Sequence, residues 1–433
     1  ENHQGPPPHP EAPVNTWRGT MMGMPMEVAD PYGLLSPERR QNPYPFYARL
    51  LREAPVHFSE PWKAWVVTRY ADVNAGFRDM RLSSVRTGMF SQGMPEEVVR
   101  KLAPMGRNMA SWLLFHDAPS HTRLRSLVNR AFTPRMVEAL RPRIQALVEE
   151  LLDAVKGKER MEVISELANP LPVIVIGEML GLPREDRYRL KQWSDKLASL
   201  IGTGRPTLAE VEGALGAILE FEDYFRPLLA QRRIQPGNDL VSALVRAEEQ
   251  GNLLSEQEVL STCTLVLFAG HETTTNLIGN GLLALLRHPD QWELLRSAPE
   301  LLPDAVEELL RYDSPVQFTN RVAAVDLEFG GHTFRKGDRV MLMIAAANRD
   351  PAQFLEPDRL DVRRKELRHQ SFGMGPHYCV GAALGRVEAQ ETFAALLRRF
   401  PRMQVASGAL PEWADNVGFR GLQSLPVVLG PSA

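Results

Sequence analysis

The strongest constraint in this 433-residue chain is one uninterrupted helical pattern from Ser255 to about Arg287. Ser255 followed by Glu258 reads as a capping box, in which each side chain satisfies a backbone N–H at the helix start, and His288-Pro289 ends the pattern. At a rise of 1.5 Å per residue the helix would be about 48 Å long and would cross a whole domain. Its centre changes character: Leu265-Val266-Leu267-Phe268 gives way to Ala269-Gly270-His271-Glu272-Thr273-Thr274-Thr275-Asn276, and then Leu277-Ile278 resume. Gly weakens a helix by about 1 kcal/mol relative to Ala, and Thr can bond back to the carbonyl four residues earlier. The residues alone leave two readings, an exposed polar segment or a kink that holds a carboxyl and a hydroxyl beside a buried ligand.

Composition narrows the class. Hydrophobic side chains make up 44% and charged ones 24%, as in an ordinary folded protein. With 50 Lys and Arg against 53 Asp and Glu, the net charge of −3 gives no global electrostatic case for nucleic acid or an anionic membrane as main partner. Two cysteines, Cys263 and Cys379, exclude a disulfide-stapled scaffold and a zinc site with three or four thiolates. No run approaches the ~18 apolar residues of a membrane span, and the start lacks the order of a signal peptide. The expectation is a soluble cytoplasmic protein without a membrane anchor.

Residues 1–28, with GPPPHPEAP near the start, read as a flexible proline-rich leader. No repeat and no long Gly/Ser linker divides the remainder, so residues 29–433 are expected to form one domain. Pro55 to Phe58 and Trp65 to Tyr70 read as a hairpin, and a second small sheet is expected around Val322 to Ile344, with turns at Gly330-Gly331 and Lys336-Gly337-Asp338. From Met136 to Val155 the residues Val137, Leu140, Ile144, Leu147, Val148 and Leu151 recur at helical spacing. The fold class is therefore mainly α with small β-sheets, an α+β arrangement.

A second constellation surrounds Cys379: Phe372-Gly373-Met374-Gly375-Pro376-His377-Tyr378-Cys379-Val380-Gly381, followed by an amphipathic run from Ala382 to Arg399. Three glycines and a proline describe a tight loop whose backbone can approach another group closely. A cysteine where such a loop enters a helix is expected to gain thiolate character from the N–H groups and the helix dipole. The competing reading is an inert buried thiol, and Cys263, flanked by Thr262 and Thr264, is read that way.

Together these residues carry a resemblance. Phe372-x-x-Gly375-x-His377-x-Cys379-x-Gly381 resembles the haem-binding loop of the cytochrome P450 family, and Ala269-Gly270-x-Glu272-Thr273 resembles its oxygen-activation motif. Glu308-Leu309-Leu310-Arg311 is similar to the family's Glu-x-x-Arg, and Asn348-Arg349-Asp350-Pro351 to Pro357-Asp358-Arg359 to the segment that supplies a further arginine. Four motifs in the family's order, within a match from about Asp30 to Leu429, are far more specific than any one of them. The resemblance is to the soluble bacterial members.

It implies the P450 fold with a long central helix over haem b, and Cys379 as the thiolate bound to iron. Glu272 and Thr273 would deliver protons during oxygen activation, while Thr274 and Thr275, a step of ~100° further round the helix, would be structural. Ala269, Gly270 and Phe372 would flank the haem, and His121, Arg125, Arg321 and His377 would meet its propionates. Glu308, Arg311 and Arg359 would form a buried structural group behind the cysteine loop. Phe90, Trp112, Phe268, Phe318 and Phe419 would wall an apolar substrate pocket, with the Met- and Gly-rich segment 86–112 as an adaptable lid. The implied activity is insertion of one oxygen atom from O2 into a hydrophobic small molecule by hydroxylation or epoxidation. Electrons would come from a ferredoxin-type donor docking on a basic face of Arg123, Arg130, Arg363, Arg364, Lys365 and Arg368. A peroxide-driven haem enzyme and a non-catalytic haem-binding protein are the alternatives.

Overall fold

The computed structural model describes residues 30–90, 95–202, 206–249, 251–408 and 410–430. The expected leader therefore lies outside the described residues. The capping box forms as read: the Ser255 N–H donates to Glu258 Oε2 at 2.8 Å and the Glu258 N–H donates to Ser255 Oγ at 3.2 Å. The helix that follows runs unbroken over Glu256–Arg287, 32 residues, straight through the polar block. Most of its side chains are buried, so it is the axis on which the helical layers pack.

Small residues set how near the neighbours come. A Cβ on Gly281 would lie 2.8 Å from the Phe393 ring on the helix Ala382–Arg399, and one on Gly270 would lie 2.8 Å from Ile176 on the helix Pro170–Met179. The helix Ala382–Arg399 packs in turn on Pro134–Asp153, whose buried Val137, Ile144, Leu147 and Val148 belong to the stripe expected from periodicity.

The expected hairpin is present, with Val56–Ser59 antiparallel to Ala64–Val67. The expectation of a separate second sheet is corrected. Arg339–Leu342 pairs in parallel with Ala64–Val67 and antiparallel with Thr319–Ala323, which also pairs with Leu82–Ser83, giving one five-stranded sheet. Only the hairpin Leu327–Phe329/His332–Phe334 stands apart in this region. The C-terminal segment returns to the same region, where an isolated bridge joins Val316 to Phe419.

Behind the cysteine loop lies a buried polar anchor. Glu308 and Arg311 are both fully buried, and their ion pair is doubly hydrogen-bonded at 2.7 and 2.9 Å. Arg311 also donates to the carbonyls of Asn348 at 3.0 Å, Pro357 at 2.8 Å and Arg359 at 3.3 Å. The part expected of Arg359 is corrected: its side chain is exposed beside Glu356 and it offers Arg311 only a carbonyl. Arg364 is the further arginine, its Nε 3.3 Å from Glu308. Five residues past Arg359, on an irregular stretch, the chain turns inward where no periodicity marks it.

Loss of either buried partner leaves an unpaired charge, so Arg311→Ala should lower stability by about 3–5 kcal/mol. A drop in urea midpoint worth under about 1 kcal/mol would show that the pair is not an anchor. The adjacent Glu307 accepts from Arg386 at 2.6 and 2.8 Å and pairs with His369 at 3.0 Å. Burial opposes its ionisation, but those bonds win and hold the carboxyl down from 4.5 to about 2. A depressed folded value means stability fully present above about pH 4.5 and lost as pH falls toward 2. Melting temperature against pH should therefore fall less steeply through that window in Glu307→Gln than in the parent.

Candidate functional site

The central helix, the cysteine loop and the five-stranded sheet enclose a cavity of about 1410 Å³. Ala269, Gly270, Thr273 and Thr274 of the central helix line it, as do Phe372, Gly373, His377, Cys379 and Gly381 of the loop.

The loop keeps its shape through backbone geometry. Gly373 and Gly375 both have φ of +67°, the left-handed region that favours glycine, and a side chain on Gly375 would press against the Phe77 carbonyl at 3.1 Å. The Cys379 N–H donates to the Phe372 carbonyl at 2.8 Å. Arg386 stacks over the Phe372 ring at 4.5 Å. Cys379 lines the cavity and is accessible there, although it is set deep among protein atoms. Burial pushes its thiol up, against the pull of the Gly381 and Ala382 amides and of Arg125 and Arg386. The expected pull toward a thiolate is present in those amides, and a bound metal cation would complete the deprotonation of a ligating thiol. Cys263 differs in kind, buried in the central helix with its thiol pushed up to about 12 by desolvation.

Cations gather on one flank of the cavity. Arg125, Arg321 and His377 line it, together with Arg86, which the sequence reading did not single out. Arg86 is buried, donates to the carbonyls of Ser84 at 2.9 Å and Leu114 at 3.3 Å, and lies over the Phe115 ring. Its position in an irregular segment after a two-residue strand gives no periodic signal. Burial and the nearby Arg321 charge push its guanidinium well down, and Arg321 falls to about 10, mainly through burial. His121 packs its ring 4.1 Å from that of His377, and its buried Nε2 has no hydrogen-bond partner. Among the described residues no carboxylate forms an ion pair with Arg86, Arg125 or Arg321; Asp117, bonded to the Ser84 N–H at 2.9 Å, is a nearby counter-charge. A flank of buried donors seeking anions, beside a cysteine that faces the same space, fits a haem: Cys379 could take the iron, and Arg86, His121, Arg125, Arg321 and His377 the two propionates.

On the central helix, the Thr273 hydroxyl donates to the Ala269 carbonyl at 2.7 Å, which satisfies it without breaking the helix. Thr274 also borders the cavity, contrary to the expectation that the step round the helix turns it away, because the opening is wide enough to span both positions. Thr275 is buried with its hydroxyl unpartnered. Glu272 is not among the lining residues; Asn276 Nδ2 donates to its Oε1 at 3.1 Å, and burial raises its carboxyl above the ordinary value.

Phe268, Phe318 and Phe419 line the cavity as expected. Trp112 does not: its fully buried indole stacks against Phe115 and Phe268, and Nε1 donates to Asn108 at 2.8 Å, so it backs the wall. Phe90 ends the turn Thr87–Phe90, and its side chain lies outside the described residues. Of the proposed lid, Arg86, with Leu113, Leu114 and Phe115 just beyond it, borders the cavity, whereas Met105 and Met109 are buried in a packed cluster. The expected basic face is reduced. Arg364 turns inward to Glu308, Arg123 pairs with Glu258, and Arg363 pairs with Asp361, while Lys365 and Arg368 are exposed. Among the described residues no helix is long and apolar enough to cross a membrane.

Known proteins share this arrangement. The family model for Cytochrome P450 matches residues 49–412. The chain is 40% identical over 403 residues to the polyketide biosynthesis cytochrome P450 PksS of Bacillus subtilis, spanning 90% of this chain and 97% of that protein. It is 40% identical to the vitamin D(3) 25-hydroxylase of Pseudonocardia autotrophica, over 90% of this chain and 94% of that protein. The crystal structure of P450BioI in complex with hexadec-9Z-enoic acid ligated acyl carrier protein matches with a TM-score of 0.84 at 40% identity, over 90% of this chain and 99% of that one. With the match extending over most of the chain and a cysteine facing a cation-flanked cavity, the protein belongs to the cytochrome P450 family, the haem-thiolate monooxygenases.

Proposed function

We propose that Cys379 is the iron ligand and Thr273 the distal hydroxyl of a monooxygenase that oxidises a bulky apolar molecule of natural-product or lipid-like character. One observation carries this reading: a single cavity is bordered by Cys379 on the loop side, by Thr273 on the central helix, and by Phe268, Phe318 and Phe419. The names of the relatives, a polyketide enzyme and a vitamin D(3) hydroxylase, point to the same class of compound.

When bound, haem supplies the redox chemistry by which one atom of O2 enters the substrate and the other leaves as water. The residues supply the rest. Arg86, Arg125 and Arg321, with His121 and His377, hold the propionates in a flank shielded from water. Thr273, held by the Ala269 carbonyl, presents a hydroxyl to the space where oxygen reacts. Glu272, one residue earlier and kept protonated to a higher pH by burial, holds the proton that Thr273 passes on; its side chain must swing from Asn276 to do so. The aromatic wall orients the substrate by shape and excludes bulk water. Electrons come from a ferredoxin-type protein, for which exposed Lys365 and Arg368 provide the positive charge.

Cys379→Ala should abolish the red-shifted carbon monoxide band of the reduced protein, and Cys263→Ala should leave it intact; retention of the band in Cys379→Ala would sink the assignment. Thr273→Ala should keep consuming reductant while product per electron falls by roughly tenfold or more, since proton delivery is what it loses. Unchanged coupling would place the donor elsewhere. Lys365→Glu with Arg368→Glu should slow reduction by an acidic ferredoxin and leave the substrate-induced spin shift alone. Equal losses in both would argue against a docking role.

A further inference from the structure

We propose that Asp195, His271 and Glu272 form a binding site for a divalent transition-metal ion of the zinc type, at the seam between the helix Arg187–Gly202 and the central helix. A ring nitrogen of His271 and one carboxylate oxygen from each of Asp195 and Glu272 lie within 4.8 Å of one another. Apart from the proton-holding role proposed for Glu272, the triad stands outside the haem cavity, and none of its three residues borders it.

The independent observation is the histidine. His271 has no solvent exposure, its Nδ1 is engaged with Ser194 Oγ at 2.9 Å, and its Nε2 is buried with no partner. A buried polar atom left unpaired costs about 1–3 kcal/mol, so this imidazole, with a ring nitrogen within reach of two carboxyl groups, lacks a partner that a bound ion would supply.

The donor set selects the ion. One imidazole and two carboxylates suit zinc, whereas calcium and magnesium favour shells of oxygen alone. Bonds of about 2.0–2.2 Å bring tetrahedral ligands to roughly 3.3 Å apart, so the present spacing must contract. Asp195 can supply that movement because it is exposed, and it also gives the ion a path from solvent. The ion must displace Lys191, whose ammonium lies 2.5 Å from Asp195 Oδ2.

Two consequences follow from binding. A metal here ties the helix Arg187–Gly202 to the central helix, and Leu200, Ile201 and Gly202 at the end of the former border the cavity, so that wall is held still. It also withholds the Glu272 carboxyl from proton transfer; this part rests on the role proposed above for Glu272, whereas the site itself does not.

Isothermal titration of the haem-loaded protein with zinc chloride alone, against Asp195→Asn and His271→Asn, tests the site. The parent should bind one equivalent more than either variant, or bind it about 100-fold more tightly. Zinc binding that is absent, or identical in parent and Asp195→Asn, would overturn the site; Asp195 is exposed, so that variant keeps the fold if His271→Asn does not. Product per electron, measured at saturating zinc, should fall in the parent and not in Asp195→Asn. Zinc that binds through the triad yet leaves coupling unchanged would overturn the inhibitory consequence and count against Glu272 as proton donor, leaving the metal site standing.

Discussion

The Arg311 guanidinium, buried without contact to water, is the interaction on which the position of the cysteine loop depends. Its charge is neutralised by Glu308, and its remaining donors fix three backbone carbonyls of the irregular segment from Asn348 to Arg359. Asn348, one of those three, donates from Nδ2 to Ser314 and Ser371, both at 2.8 Å, and accepts from the Gln370 N–H at 2.7 Å. Ser371 precedes Phe372, whose carbonyl receives the Cys379 N–H. A continuous run of hydrogen bonds thus connects a buried ion pair to the residue that faces the cavity. Such a pair adds little net stability compared with apolar packing; its contribution is to make one arrangement of irregular backbone far better than its neighbours.

The cavity has an electrostatic asymmetry of its own. Arg86, Arg125 and Arg321 stand together with Asp117 near them, while Ile176, Leu265, Phe268, Phe318 and Phe419 supply aromatic and aliphatic wall. Burial depresses Arg86 and Arg321, so their charges are costly unless anions share the space. That cost is a physical reason why a dianionic cofactor and an uncharged substrate would sort to different parts of one cavity.

What could be read from residues alone was whatever local chemistry announces. The capping box at Ser255 and Glu258, the stripe from Val137 to Val148 and the hairpin at Val56 needed only short-range patterns, and they appear in the structure. Cys379, Thr273, Phe268, Phe318 and Phe419 were singled out by motif or resemblance, and all border one cavity. The errors lie where distant partners decide. Joining Ala64–Val67 to Arg339–Leu342 depends on a pairing across more than two hundred and seventy residues, which no local turn signal announces. Arg364 rather than Arg359 reaches Glu308 because of how an irregular segment folds back. Trp112 was expected at the cavity and Arg86 was not, and the structure has the reverse for a similar reason: an aromatic ring and a guanidinium in irregular segments reveal their facing only after packing.

The cavity wall draws on residues far apart in sequence, from Phe58 and Trp62 to Phe419, and a bridge joins Val316 to Phe419 at its edge. During synthesis from the N-terminus, the chain therefore has its cysteine loop before it has a complete enclosure. Helices near the start can fold and pack while later residues are still being added. Enclosure waits for the segment that carries Gly418 and Phe419, so capture of the cofactor in its final surroundings follows synthesis of that segment.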